Sequence, residues 1–106
     1  MSQADPLLTL GALADPVRVD IVDRVAAGSE VTVTQLAAVM PMTRQGVARH
    51  IRTLEDAGVL VGDREGREVR FRVDPSSVAV ANRWLVARGA SWSRALDRLA
   101  GFIEST

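Results

Sequence analysis

Residues 43–58 read TRQGVARHIRTLEDAG, and the fold turns on this stretch. Thr43 is a helix N-cap type, with a side-chain oxygen that accepts from an amide of the first turn. Val47, Ile51 and Leu54 follow at spacings of four and three, which stacks them on one helical face. Gly58 supplies a stop, because glycine tolerates the left-handed conformation that often ends a helix. At about 100° per residue the other face carries Arg44, Gln45, Ala48, Arg49 and Arg52, followed by Glu55 and Asp56. Cationic and amide groups thus occupy the N-terminal half of the helix and carboxylates its C-terminal end.

Upstream, Thr32 and Gln35 have the spacing of a capping box, and Val33, Leu36, Ala37 and Met40 share one helical face before Pro41 ends the segment. Val31-Thr32-Val33 reads as a very short strand leading into that helix. Asp15-Pro16 is a further start signal, an N-cap followed by proline in the first turn. Val17, Ile21 and Val25, with Val22 beside them, give its buried stripe, and Gly28 stops it. A short helix from about Asp5 to Leu13 precedes it, with Pro6 in its first turn and Leu7, Leu8 and Leu10 as apolar content.

Downstream the period changes from 3.6 to two. Val59 to Arg64 reads as a strand, Glu65-Gly66 as a turn and Arg67 to Val73 as a returning strand in which Val69, Phe71 and Val73 alternate with charged residues. The continuous run Val59-Leu60-Val61 leaves the inward face of the first strand open. Asp74-Pro75-Ser76 then opens a long last helix expected to reach Ile103. Leu85, Trp92, Leu96, Leu99 and Ile103 form its stripe, and Gly89 stands on the same stripe. Gly89 marks either a kink or break, or a close approach by another helix.

Two short helices joined by a tight turn, the second polar on one side, make a helix-turn-helix, whose second helix fits the DNA major groove. Arginine bonds guanine O6 and N7 in bidentate fashion, and glutamine does the same for adenine N6 and N7. Arg44, Gln45 and Arg49 are therefore the candidate base readers. Ala48 offers an apolar contact, Arg52 a phosphate contact, and Thr43 both a cap and a phosphate contact. Arg64, Arg67 and Arg70 surround the hairpin tip, where guanidinium groups lie along phosphates or enter a narrow minor groove. Each part alone also fits a solvated helix face, or a hairpin balanced by Asp63, Glu65 and Glu68. Both parts in this order are far more specific. His50 lies off the centre of the groove face, and no second strong ligand accompanies it.

The 106 residues suit one domain, 1–106, and 47% apolar content suffices for a core. Net charge is zero, but seven of the thirteen arginines lie between Arg44 and Arg72, so the basic footprint is local. The chain has no cysteine and a single histidine, which excludes disulfides, zinc-thiolate sites and thiol redox sensing. No apolar run approaches the ~20 residues of a membrane span, and the N-terminus lacks signal-peptide character, so a cytoplasmic location is expected. No nucleophile–base pair, metal site or phosphate loop assembles, so no enzyme and no cofactor is expected.

Ala12-Leu13-Ala14-Asp15-Pro16-Val17-Arg18, Thr34-Gln35-Leu36-Ala37, Thr43 through Leu54, the run Leu54 to Leu60 and the wing Arg64-Glu65-Gly66-Arg67-Glu68 together resemble the ArsR-type (arsenical-resistance regulator) repressors. The resemblance covers nearly the whole chain. It implies a mainly α winged helix-turn-helix: four helices, a small β-hairpin and a fifth helix. It also implies a homodimer joined through the terminal helices, here Leu7, Leu8, Leu10, Leu85, Gly89, Trp92, Leu96, Leu99 and Ile103, that binds double-stranded DNA at an inverted-repeat operator. The chain departs from the family in two ways. The cysteine or histidine–carboxylate ligands by which many relatives sense metals have no counterpart, and Ala48 replaces a serine common on the recognition helix. No effector is identified. The alternative reading is a winged-helix module for protein association, with the arginine face on an acidic partner.

Overall fold

The computed structural model describes residues 5–28 and 31–104. Its elements run α1 (Pro6–Leu13), α2 (Pro16–Gly28), α3 (Val33–Val39), α4 (Arg44–Asp56), β1 (Leu60–Glu65), β2 (Glu68–Val73) and α5 (Pro75–Glu104). Side-chain caps fix most of the helix starts. Asp5 Oδ1 accepts from the Leu7 amide at 2.9 Å, and Asp15 Oδ1 accepts from those of Val17 and Arg18 at 2.8 and 3.1 Å. The capping box is complete: Thr32 Oγ1 accepts from the Gln35 amide at 3.1 Å and Gln35 Oε1 from the Thr32 amide at 3.0 Å. Thr43 Oγ1 accepts from the Gly46 amide at 3.0 Å. Each cap satisfies amides that a helix start leaves without an internal partner.

The core gathers Ala12 of α1, Ile21 and Val25 of α2, Leu36 of α3 and Val47, Ile51 and Leu54 of α4 against Val59, Leu60 and Phe71. It thereby locks the outward face of α4. After α4, Gly58 takes φ +78°, the left-handed conformation expected of a C-terminal stop, and its amide donates to Glu55 O at 2.9 Å. Thr9, fully buried in α1, donates to Ala57 O at 3.5 Å, which ties α1 to the end of α4. Arg18 fastens the other end of α1, its Nε donating to Ala12 O at 2.6 Å.

β1 and β2 form an antiparallel hairpin with register from Leu60↔Val73 to Glu65↔Glu68. The two-residue turn is therefore Gly66-Arg67, one residue later than expected, because Gly66 with φ +62° opens the turn rather than closing it. Val31 makes a single antiparallel bridge to Phe71, and no three-residue strand forms over Val31-Thr32-Val33. The physical reason is local: Thr32 is committed as N-cap and Val33 already belongs to α3. The inward face of the first strand is settled by Leu60, which is buried, while Val61 and Gly62 are half-buried.

α5 runs unbroken through Gly89, so of the two readings of that glycine the break is ruled out. At about 1.5 Å per residue its 30 residues span about 45 Å. Ser77 and Ala81 are buried, whereas residues 91–101 are all exposed. The radius of gyration is 17.9 Å, against ~13 Å for a compact chain of this length. Among the described residues no helix is long and apolar enough to cross a membrane.

Candidate nucleic-acid interface

Thr43, Arg44, Gln45, Arg49 and Arg52 are exposed along one side of α4, and Ala48 is half-buried among them. Val47, Ile51 and Leu54 anchor the opposite side, so the face cannot rotate without emptying the core. Two concavities border the arginine end. One, of about 570 Å³, is lined by Val33, Arg44, Gln45 and Ala48. The other, of about 240 Å³, lies between helix and hairpin, with Arg44 and Arg67 in its wall beside Thr32, Thr34 and Phe71. The structure thus brings a recognition-helix arginine and a wing arginine to one cleft. Sequence reasoning missed Val33 and Thr34 of α3 here. Val33 is half-buried against the core and Thr34 exposed, and nothing in their residue types marked them for this cleft.

The arginines are not equivalent. Arg44, Arg49, Arg64 and Arg67 make no ion pair among the described residues. Arg70 is engaged instead: its Nε lies 2.8 Å from Glu65 Oε2, and its Nη2 3.9 Å from Glu68 Oε2. It braces the wing across the turn, in a half-buried position, while Arg64 and Arg67 stay open to an anion. Arg72 is likewise held by Asp63, at 3.2 Å.

Ionisation follows local geometry. The Arg18 amide hydrogen bond holds the Asp15 carboxyl below its ordinary value, assisted by the Val17 amide, the Arg18 guanidinium and, least, His50. The hydroxyl and amide of Ser76 do the same for Asp74. Burial raises Glu55 near the wing base, and neighbouring Asp56 adds to the effect. His50 is half-buried on α4. Among the described residues no group of three histidines, cysteines or carboxylates gathers to hold a metal ion.

The residues expected at a dimer interface lie apart from this face. Leu7, Leu8, Leu85, Trp92, Leu96 and Leu99 are exposed by 41–64%, Leu10 and Gly89 are half-buried, and the Ile103 side chain lies outside the described residues. Trp84 and Trp92 meet edge to face with centroids 6.3 Å apart, and the Arg88 guanidinium stacks 4.0 Å over the Trp84 ring.

A helix-turn-helix domain family matches residues 13–63. The chain is 33% identical over 94 residues to the HTH-type transcriptional regulator Rv2034 of Mycobacterium tuberculosis, covering 89% of this chain and 84% of that protein. It superposes on an ArsR-like transcriptional regulator from Rhodococcus sp. RHA1 with TM-score 0.76 and 27% identity, over 92% of this chain and 91% of the other. It also shares its fold with a homodimeric winged helix-turn-helix domain, Mb0332 of Mycobacterium bovis. There the TM-score is 0.64 and identity 21%, over 84% of this chain and 90% of that fragment. The chain therefore belongs to the ArsR family of winged helix-turn-helix transcriptional regulators, which are DNA-binding proteins and not enzymes.

Proposed function

We propose that the chain is a homodimeric repressor that reads an inverted-repeat operator in double-stranded DNA, without a cysteine-based metal or thiol switch. The observation that carries this reading is the cleft shared by Arg44 and Arg67, because it joins a major-groove reader to a wing cation on one surface. Arg44, Gln45 and Arg49 read base edges and Ala48 meets a thymine methyl. Thr43, Arg52, Arg64 and Arg67 hold phosphates, and Arg70 stiffens the wing that presents them. Two copies joined through α1 and α5 set their α4 helices about 34 Å apart, one turn of DNA. The exposed apolar residues of both terminal helices support the dimer, as does the homodimeric relative with the same fold. The absence of cysteine anywhere in the sequence supports the lack of a thiol-based switch. The domain works in the cytoplasm, where its DNA is.

Titration with operator and random duplexes tests this reading. Operator affinity that falls steeply with salt and exceeds affinity for random DNA is the expected result. Equal affinity for both would replace the repressor with a winged-helix module for protein association. Truncation before Trp92 should yield a monomer or an insoluble chain, and a stable dimeric truncate would refute the terminal-helix interface.

A further inference from the structure

The wing carries a charge conflict at its tip. Between residues 63 and 72 four arginines stand against three carboxylates, a net charge of only +1. The register sets Glu65 directly opposite Glu68, and like charges placed across an antiparallel pair repel. Each of these acids also follows a wing arginine in the sequence: Arg64 precedes Glu65, and Arg67 precedes Glu68. Glu68 further lines the cleft that Arg44 and Arg67 share. Two carboxylates thus stand beside the cations that a phosphate must approach.

The two sides of the hairpin separate these groups. Residues directly opposite one another project to the same side of a sheet, and the sides alternate along each strand. Asp63, Glu65, Glu68, Arg70 and Arg72 therefore share the outer side, whereas Arg64 stands opposite Val69 on the side of the buried Phe71. On the outer side Arg70 spans the acidic pair. Its Nε lies 2.8 Å from Glu65 Oε2 and its Nη2 3.9 Å from Glu68 Oε2, so one planar guanidinium meets both carboxylates. Arg72 holds the third acid, Asp63, at 3.2 Å. With these acids engaged, Arg64 and Arg67 are exposed and make no ion pair among the described residues.

We propose that Arg70 is a positioning residue for DNA binding: it holds Glu65 and Glu68 on the outer side of the wing and so keeps Arg64 and Arg67 available to phosphate. Without it, the two carboxylates pair with the adjacent arginines and compete with the DNA backbone as internal anions. Arg70 itself does not touch DNA. The inference rests on the phosphate-binding wing proposed above and divides its three arginines between two tasks. An exposed ion pair changes an equilibrium constant about threefold, so diverting one arginine in each wing weakens a dimer on DNA about tenfold.

A double-mutant cycle tests this, with full-length variants titrated by fluorescence anisotropy on one random-sequence duplex at fixed, low salt. Arg70→Met should bind about tenfold more weakly than the native chain. Glu65→Gln/Glu68→Gln should bind at least as tightly as the native chain, and adding Arg70→Met to that pair should change affinity by less than about twofold. Arg70→Lys keeps a cation among the acids and should stay within about threefold of the native chain. Undiminished binding by Arg70→Met overturns the inference. A tenfold loss that persists in the Glu65→Gln/Glu68→Gln background makes Arg70 a phosphate contact and overturns it too. So does weaker binding by Glu65→Gln/Glu68→Gln alone, which makes the pairs a structural brace; this variant decides the matter even if Arg70→Met fails to fold. Each of these outcomes leaves the DNA-binding reading standing, whereas a native chain that binds no duplex overturns both.

Discussion

Replacing Arg67 by alanine separates the wing's contribution from base reading. Arg67 is exposed beside the glycine that opens the wing turn, and it makes no ion pair among the described residues. It also shares a cleft with Arg44. Its removal therefore deletes the proposed phosphate contact without disturbing the core. If Arg52, Arg64 and Arg67 each neutralise one phosphate, a dimer holds about six, and log K against log salt has a slope of about −5. The variant loses two of them per dimer, so the slope should flatten by about 1.8. At about 0.15 M salt the same counterion release corresponds to ~30-fold weaker binding, on operator and random duplex alike. Fluorescence anisotropy on both duplexes across a salt series measures this. An affinity loss with an unchanged slope would refute the phosphate role, and so would a loss confined to the operator.

Arg49→Ala should remove ~1–3 kcal/mol of discrimination between operator and random DNA per half-site while flattening the salt slope less than Arg67→Ala. Unchanged preference in competition binding would refute the face assignment. Gly62→Ala should displace the wing, since its Cβ would lie 2.9 Å from Val69 Cγ1 and 3.0 Å from the buried Phe71 ring. A cost of ~1–3 kcal/mol follows, read as a lower Tm together with weaker DNA binding. Asp15 has a lowered folded-state pKa, so its contribution to stability is present above the unfolded value near ~3.9 and is lost as pH falls below it. Asp15→Asn should keep the cap but flatten the fall in Tm below about pH 4, and an unchanged acid limb would refute that assignment.

The helices were legible because their caps and stripes are local signals. Thr43 and the Val47–Ile51–Leu54 spacing fixed α4 and, with it, the outward set of arginines. The wing was legible as a pair of strands, but its turn shifted by one residue, because a glycine with positive φ serves the first turn position as well as the second. Thr32 shows how two local signals compete. The β-branched run favoured a strand, and the completed capping box prevailed, leaving only the Val31–Phe71 bridge. The partner of Arg70 was not legible, since Glu65, Glu68 and Asp63 all lie close in sequence and only the register brings Glu65 Oε2 to 2.8 Å from it. Likewise, Gly89 gave no sign in sequence of whether it interrupts α5. The helix runs through it without a break, and close approach by a second copy belongs to the dimer proposed above.

Selection of bound duplexes from a random-sequence library by the full-length chain tests the central claim most directly. The account predicts enrichment of an inverted repeat whose half-sites are centred about 10 base pairs apart, with enrichment lost in Arg49→Ala. Recovery of sequences no different from the starting library would contradict it.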